Sequence, residues 1–582
     1  MRTAAKSSPQ RGPWSVRIAA TLFAVFLATA GLSRAQVSVP GPQPDEKQST
    51  VRGTVVNAMT RAPISRALVY SPDNRLATFT DGEGHFEFAL PKVGNGSERS
   101  FIDHSPYNSE LLGLMARKPG FLDDANDRRQ AETTSGSDLT ITIPLLPEAL
   151  IKGRVIPSEA DPALGIRVQL FSRRVQDGMP KWVQTDTARA NSSGEFRFAE
   201  LVPGTYKLMT NESMDNDPAI TVPGGQQYGF APVYYPGVAD FAAAGTIELT
   251  AGQTVQVDIP LTRQPYLPVR IPVADGELNG NMRVTVSVQG HRGPGYSLGY
   301  NAEKRRIEGL LPNGNYLVEA TTYGQNSASG AAHLAVAGAP AEAPTMTLVR
   351  NSSITVHVIE QFSATDGNGK MTWGGGGGSF EVHGPRGYLQ INAESADDFG
   401  QQGAWLRPPS GPTDDSLVLE NLMPGRYWLQ LRSSRGYVAA ATVGGVDLLH
   451  EPLVVGPGSS IPIEVTMRDD NAELDGTVAG LAPPASTDSS GDRSQRPAWV
   501  YCVPLPDSPG QFEQTWVSPE GKINSTQMAP GTYRILAFAS QQPNLSYRDA
   551  EAMKLYDTKG QVVHLAAGEK ASVQLQLIPS IE

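Results

Sequence analysis

The chain has 582 residues, enough for four or five domains of ordinary size. Its 59 glycines, 46 prolines and only 18 % charged residues speak against long helices, and its 39 % hydrophobic content speaks against disorder. A formal net charge of −11 makes it a poor partner for nucleic acid or for an anionic membrane.

The amino terminus reads as a targeting segment. Arg2, Lys6, Arg11 and Arg17 precede an apolar run over residues 18–32, and Ser33-Arg34-Ala35 then places small residues at the −3 and −1 sites. This pattern predicts a secretory signal over 1–35, cleaved after Ala35, with 36–47 a linker. A retained anchor is the alternative, but the run is short for a span. Cleavage removes five basic residues and moves the formal charge from −11 to −16. No later stretch is long and apolar enough to cross a membrane, so the mature chain is expected to be secreted, periplasmic or at the cell surface. The one cysteine, Cys502, leaves core packing alone to hold the domains, a thrift that points to a bacterial exported protein. Lying in Trp499-Val500-Tyr501-Cys502-Val503, it reads as a core residue rather than a nucleophile.

After the leader the chain repeats. Residues 48–147 open with Val51, Gly53 and Val55, pass a turn at Thr80-Asp81-Gly82-Glu83-Gly84, and close with Leu139, Ile141, Ile143 and Leu145. Residues 148–262 repeat the plan, with Ile151-Gly153-Val155, a turn at Asn191-Ser192-Ser193-Gly194, Phe196 and Phe198, then Pro203-Gly204-Thr205-Tyr206. Leu249-Thr250-Ala251-Gly252 leads into a closing strand. Residues 263–349 and 350–469 are divergent copies, recognised by Pro312-Asn313-Gly314-Asn315-Tyr316 and Pro424-Gly425-Arg426-Tyr427. In the latter copy Leu453-Val454-Val455-Gly456 is read as the closing marker. The last copy, 470–582, carries Leu474-Gly476-Val478, the turn Ser518-Pro519-Glu520-Gly521, Pro530-Gly531-Thr532-Tyr533 and Leu565-Ala566-Ala567-Gly568. The four tyrosines are 110, 111 and 106 residues apart, a period that marks an array. Period-two apolar residues between such turns predict an all-β fold, a tandem array of about five antiparallel Ig-like or transthyretin-like β-sandwiches with helix nearly absent.

The opening strand with its central glycine, the Thr-Asp/Asn-x-x-Gly-x-Phe turn and the Leu-x-Pro-Gly-x-Tyr phrase together resemble the carboxypeptidase regulatory-like domain, a transthyretin-like sandwich related to starch-binding-like folds. The resemblance covers the first, second and fifth copies. The first has Leu90-Pro91-Lys92-Val93-Gly94 in place of Pro-Gly-x-Tyr, and the third and fourth lack the opening glycine. The resemblance implies a non-catalytic module and no peptidase activity.

Side chains with chemical potential are scattered. The eight histidines form no His-Glu-x-x-His or other metal-ligand spacing, and neither a Gly-x-Ser-x-Gly elbow nor a phosphate loop is present. No enzyme activity, metal or cofactor is expected. Asp81 with Glu83, Asp215 with Asp217, and Asp469, Asp470 and Asp475 are acidic enough for calcium, but turn-forming roles explain them as well. The tyrosines of the repeated phrase read as corner residues whose hydroxyls reach a backbone partner. Better ligand candidates are Tyr234 and Tyr235, adjacent rings that cannot both enter one sheet face, and Trp373 beside the glycines 374–378.

The leading reading is a non-catalytic exported protein for binding, adhesion or spacing at the bacterial cell envelope or outside the cell, its partner a glycan or another envelope protein. Two alternatives stand beside it, a carbohydrate-binding protein using starch-binding-like sandwiches and an accessory subunit of a peptidase or glycosidase.

Overall fold

A computed structural model describes residues 50–578, apart from 72–75, 90–113, 124–129, 135–137, 159–164, 215–224, 275–281, 289–294, 325–326, 364–369, 376–377, 398–402, 482–497 and 519. The leader, the linker, Asp215, Asp217 and residues 90–94 lie outside the described residues. Strands make up 61 % of what is described and helices 3 %. The chain is therefore a tandem array of β-sandwiches, as the alternating patterns require. The buried side chains of the described residues gather into seven hydrophobic clusters, and none of these crosses from one copy of the repeat to the next.

The second copy shows the plan. One sheet holds Glu195–Leu201, Ala149–Pro157 and Thr254–Leu261, and the other holds Met179–Arg189, Arg167–Gln176, Gly204–Thr210 and Ile247–Leu249. Ile151, Val155, Phe196, Phe198, Val257 and Ile259 of the first sheet face Val168, Leu170, Tyr206, Leu208, Ile247 and Leu249 of the second. Intervening residues of Glu195–Leu201 and Thr254–Leu261 point to solvent, which is the period-two alternation of a half-buried strand.

One feature departs from a purely antiparallel sandwich. The opening and closing strands of each copy lie side by side and parallel: Thr50–Asn57 with Asp138–Pro147, Ala149–Pro157 with Thr254–Leu261, Ser352–Gln361 with Ile463–Arg468, and Ala472–Ala479 with Lys570–Ile578. In the third copy Arg263–Ala274 pairs in the same sense with Ala341–Glu342 and Met346–Thr347. Parallel first and last strands make the chain enter a sandwich at one pole and leave at the other. Only Glu148 and Thr262 separate closing from opening strands at the first two junctions, residues 348–351 do so at the third, where Val349–Arg350 pairs with Ala328–Val336, and residues 469–471 at the fourth.

The turn that leads into the strand paired with the opening strand is built alike in three copies. Asp81 Oδ1 accepts hydrogen bonds from the backbone N–H groups of Glu83 and His85, at 2.9 and 2.8 Å, and Asn191 Oδ1 from those of Ser193 and Glu195, at 2.9 and 2.8 Å. Ser518 Oγ takes the equivalent bond from Lys522 at 3.2 Å. Each turn ends on a glycine with φ of 75°, 78° and 78° (Gly84, Gly194, Gly521), a conformation that costs a residue with a Cβ. Their carbonyls accept from Val55, Val155 and Val478 at 2.9, 2.8 and 2.8 Å, which docks the turn on the opening strand. The opening glycine has a packing reason. A Cβ on Gly153 would collide with the Val257 carbonyl and lie 2.6 Å from Cζ of Phe196, and Gly53 stands in the same relation to Ile141 and Phe86. The divergent copies place Ile271 opposite Ile307, and Val356 opposite Leu417, with no phenyl ring over the strand.

The repeated tyrosine is a corner in all four copies. Tyr206, Tyr316, Tyr427 and Tyr533 are buried, and each hydroxyl donates to the carbonyl four residues upstream: Val202 at 2.7, Pro312 at 2.9, Met423 at 2.9 and Ala529 at 2.6 Å. The closing marker of the fourth copy needs a correction of register. Leu249 and Leu565 lie opposite Gly204 and Gly531, but the residue opposite Gly425 is Val455, so the marker runs from Val455 to Gly458 and not from Leu453 to Gly456. Gly252, Gly458 and Gly568 share φ of 73°, 70° and 70°, and that left-handed backbone is what the marker's glycine supplies.

Candidate functional site

The adjacent tyrosines singled out in the sequence do not form an exposed platform. Tyr234 is only 4 % exposed and packs edge-on against Phe241 at 5.4 Å, in a cluster with Phe171, Met209 and Trp182. Tyr235 is half-buried, and its ring lies against Gly245 at the border of the neighbouring sandwich core. The two rings enter different clusters, one from a bridge residue and the other from the turn that follows it. A second hydrophobic cluster, rather than solvent, receives the first ring. Trp373 sits on Lys370–Gly375 opposite Phe380 of Gly378–His383, and its side chain lies outside the described residues.

Groups with chemical potential are engaged in holding structure. Cys502 is fully buried, and burial followed by the nearby Glu513 charge pushes its thiol far above the usual range. Asp470 pairs with Arg468 and accepts from Tyr437 at 2.9 Å, Asp469 accepts from the Ser363 backbone at 2.9 Å, and Asp475 pairs with Lys570 at 3.0 Å. Among the described residues no three His, Cys, Asp or Glu side chains are grouped to hold a metal.

Two polar groups mark the joints between copies. Glu212, at the end of Gly204–Thr210, accepts from the Ser297 backbone of the third copy at 3.2 Å. Its other carboxyl oxygen and the Tyr266 hydroxyl are buried without a well-formed hydrogen bond. Burial pushes the Glu212 carboxyl up to about 7, against the lowering effect of the Ser297 N–H and the Tyr266 hydroxyl. His450 Nδ1 lies 2.7 Å from Asp447 and Nε2 lies 2.9 Å from the Ser508 carbonyl of the fifth copy. Burial opposes its charge, but these partners outweigh burial and raise its pKa.

Side chains from three copies converge at one place. Arg167–Gln176 and Met179–Arg189 are paired along their whole length, yet the neighbouring strand Gly204–Thr210 accompanies only Val168 to Ser172. The remainder is an arm that overhangs its sandwich. Asp177 and Gly178 turn its tip with φ of 48° and 73°, both positive, the two-residue type I′ connection that Asp-Gly favours. The tip is seated on the fifth copy. Tyr547 donates its hydroxyl to Asp177 Oδ1 at 2.6 Å, and Arg548 donates Nε to the Asp177 carbonyl and its backbone N–H to the Gly178 carbonyl, both at 3.1 Å. The Arg548 guanidinium lies 3.3 Å from the Asp177 carboxylate and 4.9 Å from the Trp428 ring centre of the fourth copy. The Tyr547 ring stacks on Phe512 at 3.7 Å, and its edge occupies the space a Cβ of residue 178 would need, 2.6 Å away. Behind the tip, the buried Lys181 reaches Glu394 of the fourth copy at 3.7 Å. The Asp-Gly pair between two strand patterns signals a hairpin in the sequence. Nothing near Tyr547 and Arg548 signals that they receive it.

No protein-family model matches this chain, and no curated protein matches it. Among solved structures it is similar to the minor pilin of Streptococcus agalactiae, at 15 % identity and a TM-score of 0.18, over 37 % of this chain and 96 % of that one. It is also similar to a streptococcal ancillary pilin, at 13 % identity and a TM-score of 0.17 over 51 % and 98 %, and to the major pilin subunit of Bacillus cereus, at 9 % and 0.12 over 74 % and 99 %. Similarities of this size relate runs of strands and assign the chain neither a family nor an activity.

Proposed function

We propose that the chain is an exported, non-catalytic bacterial protein that acts by adhesion or as a structural component at the cell envelope. The observation that carries this reading is the employment of its polar and aromatic side chains. Corner tyrosines, turn carboxylates and ion pairs are engaged in holding strands or joining copies, and the Thr532 hydroxyl, 3.1 Å from His564 Nδ1, bridges two paired strands. The likeness of the first, second and fifth copies to carboxypeptidase regulatory-like domains supports the same non-catalytic reading. Expression of the full chain in a bacterial host, followed by fractionation and amino-terminal sequencing, tests it together with pull-down on peptidoglycan and cell-wall polysaccharide. Export with cleavage after Ala35 and retention on envelope material are expected. An uncleaved cytoplasmic chain, or release of soluble product from the polymers, would overturn it.

A carbohydrate-directed reading has one observation behind it, and it lies away from Tyr234 and Tyr235. Trp516, 54 % exposed on an edge strand, lies directly opposite Trp499, which in turn lies opposite Phe538. This aromatic row opens toward solvent at Trp516, and an indole face suits an apolar sugar face. Trp516→Ala is expected to abolish oligosaccharide binding in calorimetric titration without moving the melting transition. Undiminished binding by the variant removes this reading.

A further inference from the structure

The arm joins copies that are far apart in the chain, with about 370 residues between Asp177 and Tyr547. The second copy is joined to the third by Gln227–Phe230 pairing with Arg263–Ala274, and the third to the fourth by Ser327 donating to Asn421 at 2.7 Å. The fourth is joined to the fifth by Gln511 donating to the Val438 carbonyl at 2.6 Å and by His450. Seating the arm closes this series into a circuit. The seat differs from the cores on either side of it. Trp182 and Phe241 at the base of the arm belong to one hydrophobic cluster, Phe512 and Tyr547 to another, and no cluster of the described residues includes both. The seam is instead made of one ion pair, three further hydrogen bonds, a ring edge against a glycine, and the Lys181–Glu394 pair. Such a seam rests on largely buried polar contacts rather than on apolar burial, so replacing one charged partner leaves the other buried and unpaired and disfavours seating.

We propose that this hairpin arm is a clasp: seated, it holds the second to fifth copies in a closed circuit, and unseated, it lets the circuit open at that seam with every sandwich still folded. The proposal goes beyond the envelope reading and does not depend on it. Head-to-tail junctions of one to four residues leave the strand ends as the pivots for such an opening. Gly178 is the keyed position. Its positive φ tolerates asparagine, so Gly178→Asn keeps the turn while driving a side chain into the Tyr547 ring.

Small-angle scattering and sedimentation velocity on the full chain, together with thermal unfolding, test the clasp. Arg548→Glu sets a carboxylate against Asp177, and Arg548→Glu with Lys181→Glu reverses both cationic teeth of the clasp. Gly178→Asn obstructs the seat without a change of charge. Each is expected to raise the radius of gyration over the parent by roughly a quarter or more, since an opened row is longer than a packed domain set of equal mass. The sandwich melting transitions are expected to stay where they are. Asp177→Asn added to Arg548→Glu removes the repulsion and is expected to return the radius part of the way. An unchanged radius in both Arg548→Glu and Gly178→Asn would overturn the proposal, because the circuit would then be held elsewhere. Loss of a sandwich transition in both would also overturn it, because the arm would then be part of a core.

Discussion

At the scale of single residues, the corner tyrosines separate fold from function. Tyr533 is fully buried, donates to the Ala529 carbonyl at 2.6 Å and accepts from the Gln511 N–H at 3.2 Å. Tyr533→Ala is expected to destabilise the fifth sandwich by about 3–5 kcal/mol, the range for deleting a large buried ring. Tyr533→Phe leaves a buried carbonyl and a buried N–H without their partner and is expected to cost about 1–3 kcal/mol. Thermal unfolding read at the fifth copy checks both values, and a Tyr533→Ala variant that melts with the parent would contradict the corner role. The role of these tyrosines was legible in the sequence because a period of about 110 residues shows where a shared structural need recurs. The placement of Tyr234 and Tyr235 was not legible. The two rings do part, from a bridge residue and a turn, but the local sequence carries no information on whether a ring outside the sandwich core meets water or a second apolar cluster. Here Phe241, seven residues beyond Tyr234, supplies that cluster.

At the scale of elements, the joints between copies carry the titrating groups. Glu212 has its pKa raised from 4.5 to about 7, so its ionised form is penalised in the folded joint. Such a carboxyl leaves stability intact below its unfolded value, removes it progressively as pH climbs from about 4.5 through 7, and costs most above that. Glu212→Gln is therefore expected to raise the melting temperature at pH 8, on the order of 2 °C, with a smaller change at pH 5. Equal effects at both pH values would show that solvent reaches the carboxylate in the folded joint. His450 works in the same direction from the opposite charge. Its raised pKa means the protonated ring stabilises the joint to the fifth copy below the unfolded value near 6.5, and this is lost as pH rises through the folded value. His450→Ala is expected to weaken the fourth-to-fifth joint at pH 6 and to matter less at pH 8.5, measured by amide exchange around Ser508. An equal loss of protection at the two values would assign the effect to packing. These elements show where sequence reading stops. The Asp-Gly turn at 177–178 is a local signal and the hairpin is local, but the arm's seat lies hundreds of residues away and shares no pattern with it. The register of the fourth copy was misread for a similar reason: Leu453 and Val455 are equally apolar, and only strand pairing shows which one faces Gly425.

At the scale of the whole molecule, the cores and the seams make opposite demands on cooperativity. Each hydrophobic cluster stays inside one copy, so each sandwich has its own reason to fold and its own unfolding transition. The junctions are one to four residues long, the second and third copies share strand pairing, and the arm closes the circuit, so neighbours are held in contact by backbone and polar seams while no hydrophobic cluster is shared. Polar seams transmit less free energy than a common core, and the array should unfold in more than one step. Differential scanning calorimetry is expected to give a calorimetric enthalpy clearly larger than the van't Hoff enthalpy, the signature of several units melting separately. Tyr533→Ala should then move only the component that belongs to the fifth copy. Arg548→Glu should move no component and should abolish any small shift that Tyr533→Ala passes to the second copy through the arm. Circular dichroism on the same samples should show strand with helix near 3 %, since only short helical turns are described. A single transition with equal enthalpies would mean that the seams couple all five sandwiches as tightly as a core does. The polar clasp would then have to contribute far more than ion pairs and hydrogen bonds of its kind provide.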